Sequence, residues 1–279
     1  MRLLLASTLA LAAASPAPPP VWKPGFGLAA LWNDGNAEVA RYEARDVRYG
    51  VPRTSRAALI VVAEDLLRDR LVKPDRPGSV PTVRVLKLNH VRSIPTGVYA
   101  YQQMLSAFLG ADRLDAVKLT VTSHEWCGNT FVEWRRDRPA LEIRTYFEEP
   151  GDADVTFAPG DALFYDALPL ALRALDFERT REASVRVADT LFSAHPAPPA
   201  IAEGRLVVER RPASSGWRVT LIRGARRDVF DFDLGFPHGL SRWERSDGGE
   251  LRRIDVRRFR YWEKNAPGDE RFFSEPGTP

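Results

Sequence analysis

Cysteine and histidine are scarce in this sequence, and their scarcity excludes several kinds of site. The 279 residues include one cysteine, Cys127, and four histidines. A lone cysteine cannot form an internal disulfide. A zinc site needs three or four ligands, and no second cysteine or histidine stands at a ligand-like spacing from Cys127. We therefore expect no disulfide framework, no metal ion and no cofactor.

Charge of one sign is not in large excess. The formal net charge is +3, and lysine occurs only at positions 23, 73, 87, 118 and 264, so arginine carries most of the positive charge. Arginine doublets at 210–211, 226–227, 252–253 and 257–258 could form a basic face, but interleaved carboxylates favour cross-strand ion pairs. With no recognisable binding motif, nucleic acid is not expected as a partner.

Long apolar runs are absent except at the N-terminus, which begins MRLLLASTLALAAASPAPPP. One cation, Arg2, precedes the apolar residues 3–14, and Ala12 and Ala14 fit a small-residue cleavage site. We predict a signal peptide over residues 1–14 and a proline-rich lead over 15–30, which makes the mature protein periplasmic or secreted. No second run of about 18 apolar residues occurs, so no transmembrane span is expected.

Strand patterns dominate the rest of the chain, residues 31–279. Strands are predicted over 38–48, 57–63, 83–90, 97–108, 114–125, 130–136, 141–148, 205–211, 217–223, 229–234, 240–245 and 251–262. One helix is predicted over 161–175, with Asp161 as its N-cap and a kink at Pro169. A proline-rich loop, 193–199, separates two sub-blocks, 31–192 and 200–279, of what we predict to be a single domain.

These elements predict a mainly β (α+β) fold. Its centre would be a large curved antiparallel sheet or half-barrel with a few covering helices. No repeat and no regular alternation of strand and helix is present, so a doubly wound parallel sheet is excluded.

The stretch SHEWCGNTF, residues 123–131, contains the cysteine and the first candidate site. Strand alternation places Val117, Leu119 and Val121 on an apolar face. Carried forward, it adds Glu125 and Cys127 to that face and turns His124 to the other. We therefore favour a packed structural thiol at Cys127 over catalysis. Glu125 is predicted to be either the partner of a buried arginine or a working acid.

Other candidate residues have two interpretations each. His238, near Asp231 and Asp233, is either a turn histidine or part of a metal or acid–base cluster. His90 and His195 have no supporting neighbours. Four aromatic residues are predicted either to line an apolar ligand groove or to form ordinary sheet core: Tyr99, Tyr101, Phe230 and Phe232.

A family resemblance is carried by short segments between about residues 30 and 150. They are Trp32-Asn33-Asp34-Gly35-x-Ala37-Glu38, Tyr42-Glu43, Arg48-Tyr49-Gly50, Leu59-Ile60-Val61-Val62-x-Glu64-Asp65, Val85-Leu86-Lys87-Leu88-Asn89, Thr96-Gly97-Val98-Tyr99 and Glu125-Trp126-Cys127-Gly128. The chain resembles an uncharacterised family of exported bacterial proteins, some labelled septum formation inhibitor Maf. It does not resemble true Maf nucleotide pyrophosphatases, because Pro52-Arg53-Thr54-Ser55-Arg56 is not their Ser-x-Ser-Pro-Arg-Arg motif. The resemblance therefore implies no catalytic residue.

At the level of architecture the predicted sheet is similar to the half-barrel of lipoprotein carriers such as LolA, which is an analogy of fold alone. It suggests a non-enzymatic envelope protein that binds a lipid, another apolar or amphiphilic ligand, or a partner protein of the envelope. The alternative is an envelope hydrolase or transferase that uses Glu125, His124 or Cys127. An enzyme requires polar groups that converge in a pocket, whereas a carrier requires an apolar cavity.

Overall fold

The computed structural model describes residues 17–76, 78, 80–211 and 216–274; the predicted signal peptide lies outside these ranges. It consists mainly of strands, which are β1 (Ala37–Arg48), β2 (Val51–Leu67), β3 (Thr82–Pro95), β4 (Ala100–Gly110), β5 (Ala116–Glu125), β6 (Gly128–Arg135), β7 (Ala140–Thr145), β8 (Ala153–Thr156), β9 (Leu163–Phe164), β10 (Glu182–Ala188), β11 (Ile201–Arg210), β12 (Gly216–Arg223), β13 (Arg226–Asp233), β14 (Leu240–Glu244) and β15 (Glu250–Phe259). The α-helices are the single turns α1 (Leu168–Ala171) and α2 (Arg271–Ser274). No helix among the described residues is long and apolar enough to cross a membrane.

All of these strands belong to one open sheet, in the order β8-β7-β6-β5-β4-β3-β2-β1-β15-β14-β13-β12-β11-β10-β9. Neighbouring strands are antiparallel except β9 and β10, which are parallel. Strand β1 pairs with β2 on one side and with β15 on the other, so strands of both sequence blocks meet there. The prediction of a large, mainly β, curved antiparallel sheet is confirmed.

The inner face of the curved sheet surrounds the segment 163–175, hereafter the inner segment. Its leucines Leu168, Leu170, Leu172 and Leu175 have no exposed surface. Strand alternation supplies the surrounding wall, for example Leu105 on β4 and Leu119 on β5, both fully buried. Apart from Asp166 and Arg173, which are hydrogen-bonded, the buried side chains of this segment are mostly apolar, so it is stable only when it is enclosed, and the sheet encloses it.

The inner segment is not the continuous helix predicted over 161–175. Leu163 and Phe164 pair with β10, and the following residues form a 3₁₀ turn, α1 and a second 3₁₀ turn. Pro169 lies in the first turn of α1, where its missing N–H costs no helical hydrogen bond. Asp161 caps no helix; its carboxylate accepts a hydrogen bond from Arg186 instead. Strand pairing thus removes the start of the predicted helix, and the rest of it is split into short turns.

A buried ion pair fastens the inner segment to β1. The guanidinium of Arg173 donates to both carboxylate oxygens of Glu38, at 2.8 and 2.9 Å, and its Nε donates to the carbonyl of Pro237 at 2.8 Å. Both side chains are buried, with exposed fractions of 3% and 8%. The pair therefore fixes the position of the inner segment relative to the sheet.

Strand β10 was not predicted, although its sequence has the expected period. Ala183, Val185 and Val187 are buried and alternate with residues 182, 184 and 186, which are exposed or half-buried. The predicted loop over 193–199 contains no strand, and the chain re-enters the sheet only at Ile201.

Candidate functional site

The β5–β6 hairpin places Cys127 in solvent, so the prediction of a buried thiol is wrong. Strand β5 ends at Glu125, and Trp126 and Cys127 form the two-residue turn before β6. Cys127 is exposed. The alternation holds as far as Ser123, which is buried on the inner face, but it ceases where the strand ends.

Glu125 stabilises this turn. Its carboxylate accepts the backbone N–H of Cys127 at 2.6 Å. In the described part of the chain it forms no ion pair, so the predicted buried arginine partner is wrong for Glu125. The hydrogen bond between Glu125 and the thiol raises the pKa of Cys127. A raised pKa disfavours the thiolate, which is the opposite of what a nucleophilic cysteine requires.

His124 does not complete a catalytic arrangement with these residues. It is exposed on the outer face of β5, where it pairs in register with Asn129. Glu125 is half-buried at the end of the strand, and Cys127 is in the turn beyond it. The three side chains lie on a solvated hairpin and do not converge in a cavity.

Tyr99 and Tyr101 belong to an aromatic cluster at the ends of three hairpins. The hydroxyl of Tyr49 is hydrogen-bonded to those of Tyr99 and Tyr101, at 2.9 and 2.8 Å. Arg48 lies over the Tyr101 ring at 4.8 Å, and Tyr99 stacks on Trp126 at 6.1 Å between centroids. Tyr49 and Trp126 are largely exposed. The cluster ties neighbouring turns together and is polar, so it is not the wall of an apolar groove.

Phe230 and Phe232 are core residues and line no open groove. Both are fully buried. Phe230 stacks on Trp243 at 5.2 Å between centroids, and Phe232 contacts Phe177 at 5.8 Å. The structure therefore supports the interpretation of these phenylalanines as ordinary sheet core.

His238 is a turn histidine. Its φ is 53°, its ring nitrogen is hydrogen-bonded to the carbonyl of Asp233 at 3.1 Å, and burial lowers its pKa. The nearby carboxylates are occupied by arginines, since Asp231 binds Arg218 and Asp233 binds Arg253. No cluster of three or more His, Cys, Asp or Glu side chains able to hold a metal occurs among the described residues.

One apolar cavity lies where the inner segment meets β4, β5 and β6; we call it the end pocket. It has a volume of about 380 Å³, and its walls include Leu109, Leu114, Trp134, Phe164, Ala167 and Ala171. Trp134 is fixed because its Nε1 donates to the carbonyl of Phe157 at 3.0 Å. At the rim, Arg136 forms an ion pair with Asp115 at 2.6 Å. The end pocket thus combines apolar walls with a charged mouth.

A second cavity, of about 100 Å³, lies at the opposite end of the strands and is polar; we call it the polar chamber. Its walls include Asp46, His90, Arg92, Asp166, Trp243 and Arg245. Asp46 accepts hydrogen bonds from Ser55 at 2.6 Å, from Arg92 at 3.3 Å and from Arg245 at 2.7 Å. Arg92 also donates to Gln103 at 2.5 Å.

Burial and neighbouring charges set the pKa values of the side chains in the polar chamber. Burial lowers the pKa of Arg92 to about 10, even though Asp46 opposes this effect. Burial and the two arginines lower the pKa of His90 well below its usual range, so its ring is neutral. Burial raises the pKa of Asp166. Burial also acts to raise the pKa of Asp46, but Arg92 and Arg245 outweigh it and the pKa is lowered.

Two strands carry a sequence pattern that indicates the polar chamber. On β1, Asp46 continues the inner-face series of Tyr42 and Ala44, and on β3, His90 and Arg92 continue that of Leu88. Polar residues in phase with an apolar face must be paired when they are buried. The period therefore indicated a buried polar network, although not its partners on distant strands.

Comparison with solved structures finds a likeness in fold. The chain is similar to a crystal structure from Brucella abortus described as a beta-barrel-like protein of domain of unknown function DUF1849, with 11% sequence identity and a TM-score of 0.47. The alignment covers 80% of this chain and 97% of that one. No family model matches the chain, and no curated protein matches it. The function is therefore inferred from this chain's own residues.

Proposed function

We propose that this chain is an exported, non-enzymatic protein of the bacterial envelope that binds an apolar or amphiphilic ligand in the end pocket. The observation that carries the proposal is the cavity itself. Ligand pockets in proteins are concave, mostly apolar and about 300–1,000 Å³ in volume. The end pocket has about 380 Å³ and aliphatic and aromatic walls.

The mouth of the end pocket suits an amphiphile better than a fully apolar molecule. Arg136 and Asp115 at the rim are about half exposed, so a polar head group could contact them without leaving water. The apolar part would lie between Trp134 and the inner segment. Burial of each methylene in such a site contributes roughly 0.8 kcal/mol, which makes an acyl chain a favourable occupant.

Export is proposed from the N-terminal sequence. Arg2, the apolar residues 3–14 and the alanines at 12 and 14 have the pattern of a signal peptide. N-terminal sequencing of the secreted protein is expected to begin after Ala14. A mature chain that still begins at Met1 would contradict export.

The hydrolase or transferase alternative has no comparable observation in its favour. Its candidate residues Glu125, His124 and Cys127 lie on the β5–β6 hairpin, and none of them lines the end pocket. Catalysis needs polar groups that converge on a bound substrate, and these three residues do not meet that requirement.

Native mass spectrometry of the protein purified from the periplasm tests ligand binding. We expect an adduct with the mass of a lipid or another amphiphile. The adduct should be lost in Ala171→Phe, which fills the end pocket, and kept in Ala225→Phe, which adds the same side chain in the exposed β12–β13 turn. An adduct of equal intensity in both variants would place the ligand elsewhere, and no adduct in any of them would oppose binding.

A further inference from the structure

The polar chamber contains buried hydrogen-bond donors with no acceptor among the described residues. They are Arg92 Nε, Trp243 Nε1 and Arg245 Nη1, and neither ring nitrogen of His90 has a partner either. All four side chains are more than nine-tenths buried and line the same cavity. A buried donor without a partner is costly, by roughly 1–3 kcal/mol and more for a charged group, so a bound acceptor is expected there.

The buried arginines of the chamber also have few acceptors in direct contact. Arg92 and Arg245 share one buried carboxylate, that of Asp46. Arg245 forms a second ion pair with Asp247, which is 65% exposed at the rim. The second buried carboxylate of the chamber, that of Asp166, accepts the Thr190 hydroxyl and the Leu191 N–H at 2.7 and 2.6 Å. Donor groups of both guanidiniums therefore remain without an acceptor in the part of the chain that the structure describes.

We propose that the polar chamber binds a small oxyanion, a carboxylate or a phosphate group, which accepts hydrogen bonds from Arg92 Nε, Arg245 Nη1 and Trp243 Nε1. Guanidinium groups are the preferred partners of both oxyanions because their planar N–H groups match the oxygen positions. A volume of about 100 Å³ accommodates one such group or a few water molecules, but no larger ligand. The site is at the opposite end of the strands from the end pocket, so it does not depend on the proposed function.

The test is a titration of the mature protein with inorganic phosphate and with acetate, at constant ionic strength set with chloride. The indole N–H resonance of Trp243 is followed by NMR. Trp32 is an internal control, because its buried indole nitrogen also lacks a partner but does not line the chamber. We expect a saturable shift of Trp243 with at least one oxyanion, no shift of Trp32, and a melting temperature that rises with the same concentration dependence.

Two variants assign the binding to the chamber. Arg245→Lys keeps the charge and loses the planar donor group, and it should weaken binding at least tenfold. Arg226→Lys, at an exposed arginine, should bind as the wild type does. Trp243→Phe removes a neutral donor and, measured by the shift in melting temperature, should weaken binding about threefold, by roughly the value of one hydrogen bond.

A short-chain phospholipid below its micelle concentration distinguishes a lipid head group from a free anion. A Trp243 shift with the phospholipid alone would identify the oxyanion as a head group, and a shift with phosphate or acetate would identify a free ion. Either result supports the proposal. It is overturned if none of the three shifts Trp243, which would mean that the chamber holds only water, or if Arg245→Lys binds as tightly as the wild type.

Discussion

Removal of the Glu38 carboxylate is expected to be among the most damaging single changes in the protein. Glu38 on β1 and Arg173 on the inner segment form a bidentate pair at 2.8 and 2.9 Å, and both side chains are buried. In Glu38→Ala the guanidinium of Arg173 stays buried without its counter-charge. Removing one partner of a buried pair costs about 3–5 kcal/mol.

This loss is large relative to the stability of a typical domain, about 5–15 kcal/mol. The matched control is Glu182→Ala, which breaks a pair with Arg205 whose side chains are 43% and 51% exposed. Exposed pairs contribute about 0–1 kcal/mol, so this change should be nearly neutral. The double variant Glu38→Met with Arg173→Met should recover most of the loss, because no unpaired charge remains.

Urea unfolding of the mature protein measures these differences. The midpoint of Glu38→Ala should fall while the slope with urea stays constant, since the surface exposed on unfolding is unchanged. A loss no larger than that of Glu182→Ala would refute the claim that this pair holds the inner segment inside the sheet.

Three further predictions concern the residues discussed above. Cys127 should react with a thiol reagent in the native protein, because it is exposed, but more slowly than in the unfolded chain, because Glu125 raises the thiol pKa. Glu125→Gln should speed native labelling near neutral pH, and complete protection of native Cys127 would contradict the structure. Phe230→Ala should lower the free energy of unfolding by about 3–5 kcal/mol, because it deletes a core side chain. Phe236→Ala, at a half-exposed ring, should lower it far less. Equal small losses of stability would restore the interpretation of Phe230 as the wall of a groove. Burial, together with Arg92 and Arg245, lowers the pKa of His90, and Asp46 only partly opposes them. Below about pH 6.5 the unfolded chain therefore binds a proton at His90 that the folded chain does not bind. Stability should therefore fall below this pH by up to about 1.4 kcal/mol per unit, and His90→Gln should reduce the slope. Equal slopes in the wild type and in His90→Gln would contradict a neutral buried ring.

The sheet was predictable because its strands alternate clearly. Leu119, Val121 and Ser123 lie on one buried face of β5, as the sequence predicts. The prediction is wrong for Val117, because a bulge between Ala116 and Lys118 turns it into a separate cluster with Leu66 and Val85. The error at Cys127 came from extending that alternation past Glu125, where the hairpin turn begins. The prediction of one helix over 161–175 was wrong because Leu163 and Phe164 pair with β10 instead.

The two cavities could not be predicted, because each depends on contacts between distant parts of the chain. Asp46 meets Arg245 from a position 199 residues away, and Glu38 meets Arg173 across 135 residues. The sequence did predict a carboxylate with a buried arginine partner, but assigned it to Glu125 and not to Glu38. The alternation of side chains along a strand gives the face on which each one lies. The ion-pair partner of a buried side chain, in contrast, is set by the curvature of the whole sheet.

The central claim is that the end pocket binds an apolar chain, and energy transfer from Trp134 tests it most directly. Trp134 lines the end pocket, so a bound polyene fatty acid would lie close enough to quench its fluorescence. We predict a saturable, one-to-one signal that is reduced in Trp134→Phe, abolished in Ala171→Phe and unchanged in Ala225→Phe. Absence of saturable transfer, or equal transfer in the two alanine variants, would contradict the account.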